Sequence, residues 1–153
     1  MPKRIPPIID LGAYAKEHLL YEAWMFTEAR QHLPMTSPGS FEMNVMVESC
    51  AFHFRNLFDF FYPRAPRKDD VIAADYASDW GGKRPVLSPA LETAHVRADK
   101  ELAHLTTRRI SGAPPEKAWD FGAISLELRP VIEAFIRGAR GLPADAVAVL
   151  RAI

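Results

Sequence analysis

Hydrophobic positions along the chain recur mostly every three or four residues, which is the period of an amphipathic α-helix. The first such segment covers residues 11–33, and its recurring positions are Leu11, Tyr14, His18, Tyr21, Met25 and Ala29. Pro34 and the MTSPGS stretch end this helix. Residues 1–10 precede it, hold three prolines and are predicted to form an extended arm.

A second helix is predicted over residues 41–62, directly before Pro63, and it is apolar almost all round. Its apolar side chains are Val45, Met46, Val47, Phe52, Phe54, Leu57, Phe58, Phe60 and Phe61. A helix of this kind is either central to the fold or shared with a partner chain. Because a small domain rarely surrounds one helix on every side, we expect a homodimer with this helix near the interface.

Two further helices and a short tail complete the prediction. The third covers residues 88–110, where Ser88 is a plausible cap and Pro89 suits the first turn. The fourth covers residues 115–139 and should be kinked at Pro130, and the DAVAVLRAI tail is expected to dock as a final helical turn.

The connection at residues 63–89 is longer than a compact bundle needs, and such a segment is usually a functional flap, an interface piece or a mobile excursion. We found no segment with convincing strand alternation. The predicted fold is therefore a single all-α domain over residues 1–153, a four-helix up-down bundle with a long connection between helices 2 and 3.

Composition narrows the classes of function. The chain has 19 basic and 19 acidic side chains, and this zero net charge argues against a broad, non-specific nucleic-acid binder but leaves room for a local basic groove. The single cysteine, Cys50, excludes a disulfide framework and a cysteine-rich zinc site, and its apolar surroundings predict a buried, inert thiol. No signal-like or membrane-spanning apolar run is present, so we expect a soluble cytoplasmic protein without a membrane partner.

A polar stripe borders the apolar side of the third helix. Arg97, Glu101, His104 and Arg108 fall within about 60° of one another on a helical wheel. A histidine can transfer a proton near neutral pH, an arginine can hold a phosphate, and Glu101 could orient the imidazole. The same spacing also suits an ordinary ladder of surface ion pairs.

A second polar line, Glu48, Arg55 and Asp59, lies on the second helix, where polar residues are scarce. Arg55 and Asp59 can pair across one turn and lock the helix packing or the dimer. Alternatively, Glu48 and Arg55 bind substrate in the same cleft as the stripe on the third helix. His53 lies elsewhere on this helix and is interpreted as a packed core or interface histidine.

Neither a metal nor another cofactor is predicted. Two ExxH patterns occur, Glu92 with His95 and Glu101 with His104, but both lie on one helix and point to different faces. His18 and Glu22 could add ligands, although nothing in the sequence requires it. The chain also lacks a Gly-rich phosphate loop, an HExxH motif and a GxSxG motif.

The stretch RADKELAH, from Arg97 to His104, resembles the signature of the HEPN superfamily (higher eukaryotes and prokaryotes nucleotide-binding domains), an arginine followed after four to six residues by a histidine. These are small all-α domains, often dimeric, and many are metal-independent ribonucleases. The resemblance implies that Arg97 stabilises charge on the reacting phosphate and that His104 transfers a proton. It also implies that Lys100 and Arg108 contact backbone phosphates.

Three functions remain open from the sequence. The first is a metal-independent endoribonuclease of toxin or phage-defence type, with an antitoxin-like protein as a further partner. The second is a non-catalytic HEPN-like module that binds a partner protein, a nucleotide or RNA. Ala98 favours this second function, because it stands where active HEPN members usually carry a polar residue. The third is a structural or regulatory helical dimer.

Overall fold

The computed structural model describes residues 8–103, 107 and 118–153, and within these ranges the regular structure is entirely helical, as predicted. Seven helices are described in this part of the chain. The first helix, α1, is α-helical over Leu11–Tyr14, π-helical over Ala15–Leu19 and α-helical again over Leu20–His32. It is followed by α2 (Phe41–Phe61), α3 (Ala73–Tyr76) and α4 (Trp80–Lys83). The last three are α5 (Pro89–Arg97, continued as a π-helix over Ala98–Ala103), α6 (Phe121–Gly138) and α7 (Ala144–Arg151). None of these described helices combines the length and the hydropathy needed to cross a lipid bilayer.

Side-chain caps set where the long helices begin. Ser88 Oγ accepts a hydrogen bond from Leu91 N at 3.2 Å with Pro89 in the first turn, which confirms the predicted start of the third helix. The fourth helix starts later than predicted. Residues 118–120 are not helical, and α6 begins at Phe121 because Asp120 Oδ1 accepts from Ala123 N at 2.8 Å.

The core lies where α2 packs against α1, with α6 and α7 closing it. The contact between α1 and α2 is the most extensive among the described helices, and α7 packs on both α1 and α6. Phe54, Phe58, Phe61 and Phe135 are fully buried, and Phe61 and Phe135 meet edge to face at 5.4 Å. The predicted C-terminal tail is confirmed as a docked helix, α7, of which Leu150 is buried.

The connection between the second and third predicted helices is part of this core. It contains the short helices α3 and α4, of which Tyr76 and Trp80 are only 4% and 2% exposed. Trp80 Nε1 donates to Phe61 O at 2.8 Å, and the Tyr76 hydroxyl donates to Leu11 O at 2.8 Å. Residues 72–80 therefore pack into the core of the same chain. The three roles predicted for the connection stay predictions.

Two π-helical segments interrupt the α-helical register, at Ala15–Leu19 in α1 and at Ala98–Ala103 after α5. A π-helix is wider than an α-helix, is rare in proteins and is often found at functional sites. The predicted 3.6-residue periodicity does not reveal either segment. Both place charged side chains in directions that differ from those of a regular α-helical wheel.

Candidate functional site

A cleft of about 610 Å³ lies between α1, the second half of α2 and residues 63–72. Apolar side chains from α1, α2 and the connection form part of its wall, among them Leu19, Leu57, Phe60, Val71 and Ile72. The polar side chains that line it are Tyr14, His18, Glu22, Arg55, Asn56, Asp59, Arg64, Arg67, Asp69 and Asp70. Among the described residues with predicted roles in substrate binding, Arg55 is the one that lines this cleft.

Arg55 projects from α2 towards the π-helical segment that follows α5. Its Nη2 lies 3.4 Å from Asp99 Oδ1, and one third of the Arg55 side chain is exposed. The Arg55 Nε atom is buried and has no hydrogen-bond partner in the described structure. A buried N–H without a partner is costly, and a guanidinium can donate two parallel hydrogen bonds to an oxyanion. The Nε atom itself is out of reach of solvent, so a ligand in the cleft would meet the exposed part of the Arg55 side chain.

A carboxylate–histidine pair borders the cleft on the α1 side. His53 Nδ1 donates to Glu22 Oε2 at 2.7 Å, and Asn56 Nδ2 donates to the same oxygen at 3.0 Å. His53 is 6% exposed, which agrees with its prediction as a packed histidine. These contacts hold one carboxylate oxygen, Oε2 of Glu22, in place on the wall of the cleft.

A second carboxylate–histidine pair borders the cleft on the α5 side. His95 Nε2 donates to Asp59 Oδ1 at 3.0 Å, and the imidazole stacks on Phe58 with ring centroids 4.0 Å apart. His95 Nδ1 is buried without a hydrogen-bond partner. Nearly half of the Asp59 side chain is exposed, so its carboxylate remains accessible from the cleft.

Arg55 and Asp59 do not pair with each other across one turn of α2, although the sequence allows it. Each contacts the α5 segment instead, Arg55 through Asp99 and Asp59 through His95. The physical reason is that α5 and its π-helical extension pack beside this face of α2 and offer both side chains partners there. The polar line on α2 thus fastens α2 to α5.

Tyr14 lines the cleft, and its phenol hydroxyl stays protonated. Burial, followed by the negative charges of Glu22 and Asp70, raises the pKa of Tyr14 above its ordinary value. In the connection, Arg64 Nη2 donates to Glu92 Oε1 at 3.0 Å and Asp70 Oδ2 accepts from Arg67 N at 2.6 Å. The cleft therefore presents hydrogen-bond donors and acceptors and charges of both signs.

Arg97, the arginine of the RADKELAH stretch, is held by its own chain. Its Nε and Nη2 donate to the Glu101 carboxylate at 3.2 Å, and its Nη1 donates to Ala118 O at 3.2 Å. The guanidinium carbon lies 4.2 Å from the centroid of the Trp119 ring. Arg97 thereby joins the end of α5 to the residues that precede α6.

The structure separates the predicted site residues into two groups. Arg97 and Glu101 face Ala118 and Trp119, whereas Arg55 meets Asp99, whose other carboxylate oxygen lies 3.0 Å from Lys100 Nζ. Glu48 is exposed on α2 and is not among the residues that line the cleft. His104 and Arg108 lie outside the described residues, so the predicted roles of Arg97, His104, Glu101 and Arg108 stay predictions.

Within the described ranges, no group of three or more His, Cys, Asp or Glu side chains is placed to hold a metal ion. In the first ExxH pattern, Glu92 pairs with Arg64 and His95 pairs with Asp59, so the two side chains serve different partners. The second pattern includes His104 and lies partly outside the described residues.

Tyr14 and Asn56 were not among the predicted site residues, and residues 63–72 were predicted only as part of a connection with three alternative roles, one of which was a functional flap. Asn56 carried a weak signal, because it is a polar residue on a helix that is otherwise mostly apolar. Tyr14 carried none, since an aromatic residue at a core period is normally part of the core. Comparisons of this chain with protein-family models, with curated proteins and with solved structures found no match.

Proposed function

We propose that this protein is a non-catalytic, HEPN-like helical module that binds a nucleotide-sized phosphorylated ligand in the cleft beside Arg55. The observation that carries this proposal is the Arg55 guanidinium, which lines the cleft together with Glu22 and Asp59, two carboxylates that histidines hold in place. In this function Arg55 is the anchor for the anion, as the sequence suggested.

The size of the cleft favours a small ligand over a nucleic acid. A volume of about 610 Å³ lies within the range of small-molecule sites. A protein that binds RNA along its backbone usually displays a long basic surface, and here the charges balance at zero over the whole chain.

The chemistry of the lining fits a ligand that carries both an anion and N–H donors. A phosphate can accept paired hydrogen bonds from the Arg55 guanidinium. Glu22 Oε1, which makes none of the contacts described above, and the accessible part of Asp59 can accept hydrogen bonds from the amino and ring N–H groups of a base. The protonated Tyr14 hydroxyl adds a donor, and its ring adds an apolar surface.

A titration of the purified protein with adenosine and guanosine mono-, di- and triphosphates, followed by calorimetry, tests this function. We expect binding of at least one nucleotide and, in Arg55→Gln, a loss of affinity of about tenfold or more, because one charged hydrogen-bonded contact is removed. Arg137→Gln, which changes an exposed arginine on α6, is the matched control and should leave binding unchanged. Absence of nucleotide binding, or equal losses in both variants, would contradict the proposal.

A second candidate function is the metal-independent endoribonuclease. The observation that favours it is the π-helical segment Ala98–Ala103, which occupies the spacing between Arg97 and His104. Such segments are frequent at functional sites, and Arg97 is held in a fixed orientation by Glu101 and Trp119. In this candidate Arg97 stabilises phosphoryl charge, His104 transfers the proton, and Lys100 and Arg108 contact the RNA.

Labelled RNA incubated with the protein, with and without a chelator, separates the two candidates. Cleavage that survives the chelator and disappears in His104→Ala supports the ribonuclease. Intact RNA under both conditions, together with nucleotide binding that depends on Arg55, supports the binding module. An antitoxin-like partner belongs to the ribonuclease candidate, whereas the expected cytoplasmic location applies to both candidates.

A further inference from the structure

The outer face of α1 and α2 exposes a group of large aromatic side chains outside the cleft. Tyr21, Trp24 and Phe52 are 46%, 45% and 55% exposed. They form one surface because Tyr21 and Phe52 both contact the His53 ring edge to face, with centroids 5.6 and 5.2 Å apart, and Tyr21 lies 6.3 Å from Trp24. Exposed aromatic side chains that adjoin one another mark interaction sites more often than scattered ones do.

This surface continues along α2 at helical spacing. Phe41 and Val45 precede Phe52 on the same side of the helix and are 79% and 39% exposed. The stretch from Phe41 to Phe52 extends over about 17 Å, which is the length of three helical turns. Two neighbouring helices with anchors at this spacing provide a shallow groove in which a third helix can lie.

Two glutamates, Glu28 and Glu48, border the aromatic surface. Residues 20–29 of α1 and 41–54 of α2 contain four glutamates and no lysine, arginine or aspartate, but Glu22 belongs to the cleft, and Glu28 lies 3.8 Å from His32 Nδ1. Glu28 lies one turn from Trp24, and Glu48 lies one turn from Phe52 and is exposed. A second copy of this chain, placed on this surface by a two-fold axis, would bring carboxylates against carboxylates.

We propose that the α1–α2 face, defined by Tyr21, Trp24, Val45 and Phe52 with Glu28 and Glu48, binds a basic amphipathic helix of a partner protein. Apolar side chains of that helix pack on the aromatic rings, and its lysine or arginine side chains pair with the two glutamates and contact the exposed ring faces. This inference is independent of the nucleotide cleft, because none of these six residues lines it.

The test uses the full chain and a labelled 18-residue helical peptide of leucine, alanine and lysine, with the leucines on one face. A peptide with glutamate in place of lysine is the matched control. We expect the lysine peptide to bind, as measured by fluorescence anisotropy, and the glutamate peptide to bind at least about tenfold more weakly. Binding of the lysine peptide should also weaken as salt is raised.

Variants assign the binding to this face. Phe52→Ser and Glu48→Lys should each weaken binding of the lysine peptide by about tenfold, while Leu126→Ser, at an exposed apolar position on α6, should leave it unchanged. Glu48→Lys keeps the test valid if Phe52→Ser fails to fold, since Glu48 is exposed.

Three results would overturn the proposal. They are equal binding of both peptides, unchanged binding in Glu48→Lys, or a concentration-dependent dimer that Phe52→Ser converts to a monomer. The last result would assign the face to a second copy of this chain.

Discussion

Arg97 begins the RADKELAH motif, and in the structure it also contacts Ala118 and Trp119, which lie outside that motif. Its guanidinium pairs with Glu101, donates to Ala118 O and stacks on Trp119. The contact between Arg97 and Glu101 fits the interpretation of this stripe as an ordinary ladder of surface ion pairs. The catalytic role predicted for Arg97 is a separate property and depends on the position of His104.

Arg97→Lys should lower the free energy of unfolding by about 1–2 kcal/mol, because an ammonium cannot keep the paired contact with Glu101 and the stacking on Trp119 together. Urea denaturation measures the change, and Arg129→Lys, at an exposed position on α6, is the control. Equal stability of Arg97→Lys and the native chain would show that Arg97 does not join α5 to α6.

The side chain of Cys50 has no access to solvent. Burial raises the pKa of its thiol to about 12, and the nearby charge of Arg30 opposes this only in part. A thiol-specific disulfide reagent at pH 8 should therefore react slowly with the folded protein and rapidly in urea. Fast reaction without denaturant would contradict the predicted inert thiol.

The same pKa predicts how stability depends on pH. The folded pKa of Cys50 lies above the ordinary value of 9.0, so the folded state holds the proton more tightly than the unfolded state. The free energy of unfolding should therefore fall as pH rises above about 9, by about 1 kcal/mol at pH 10 from this group. Cys50→Ala should remove this part of the decline, which denaturation at pH 7 and pH 10 can measure.

At the scale of whole elements, the connection between α2 and α5 shows how an apparently irregular segment becomes part of the core. Its short helices α3 and α4 are too brief to be stable alone and depend on tertiary contacts. Trp80 supplies such a contact through its ring and its hydrogen bond to Phe61 O. The segment therefore holds the carbonyl end of α2 in place beside the cleft.

Trp80→Ala should lower the free energy of unfolding by about 3–5 kcal/mol, because it leaves a large cavity and removes a partner of a buried carbonyl. Trp80→Phe keeps much of the packing and should cost about 1–2 kcal/mol. Val86→Ala, in the same connection but 94% exposed, should change stability by less than about 0.5 kcal/mol. Comparable losses in Trp80→Ala and Val86→Ala would mean that the connection is not anchored by Trp80.

At the scale of the whole molecule, the net charge is zero, but the charged side chains are unevenly distributed along α1 and α2. The net charge of the chain is zero, yet one stretch of α1 and one of α2 carry glutamates without any lysine or arginine. The homodimer predicted from the apolar character of α2 stays a prediction, and this acidic face is an unfavourable place for its two-fold axis.

Sedimentation velocity over a range of protein concentrations tests the homodimer. The sequence predicts a species of twice the monomer mass, and a dimer that uses apolar contacts away from the glutamates should persist when salt is raised. A monomer at all concentrations would contradict the predicted homodimer and would leave the nucleotide-binding module unaffected.

The sequence alone determined the features that depend on local interactions. The helical period, the cap at Ser88 and the stop at Pro63 placed α1, α2 and the start of α5 close to where they are found. The burial of Cys50 and His53 could also be inferred, because both lie in a nearly continuous apolar run.

The tertiary structure alone decided which side chains meet, because contacts between distant residues leave no local pattern. The pairings of Glu22 with His53, of Asp59 with His95 and of Arg55 with Asp99 each join two different helices. The π-helical segment Ala98–Ala103 carries Asp99, which contacts Arg55, and Glu101, which contacts Arg97. The docking of residues 72–80 follows from the shape of the core, which offers Trp80 a cavity and a carbonyl partner that the linear sequence does not show.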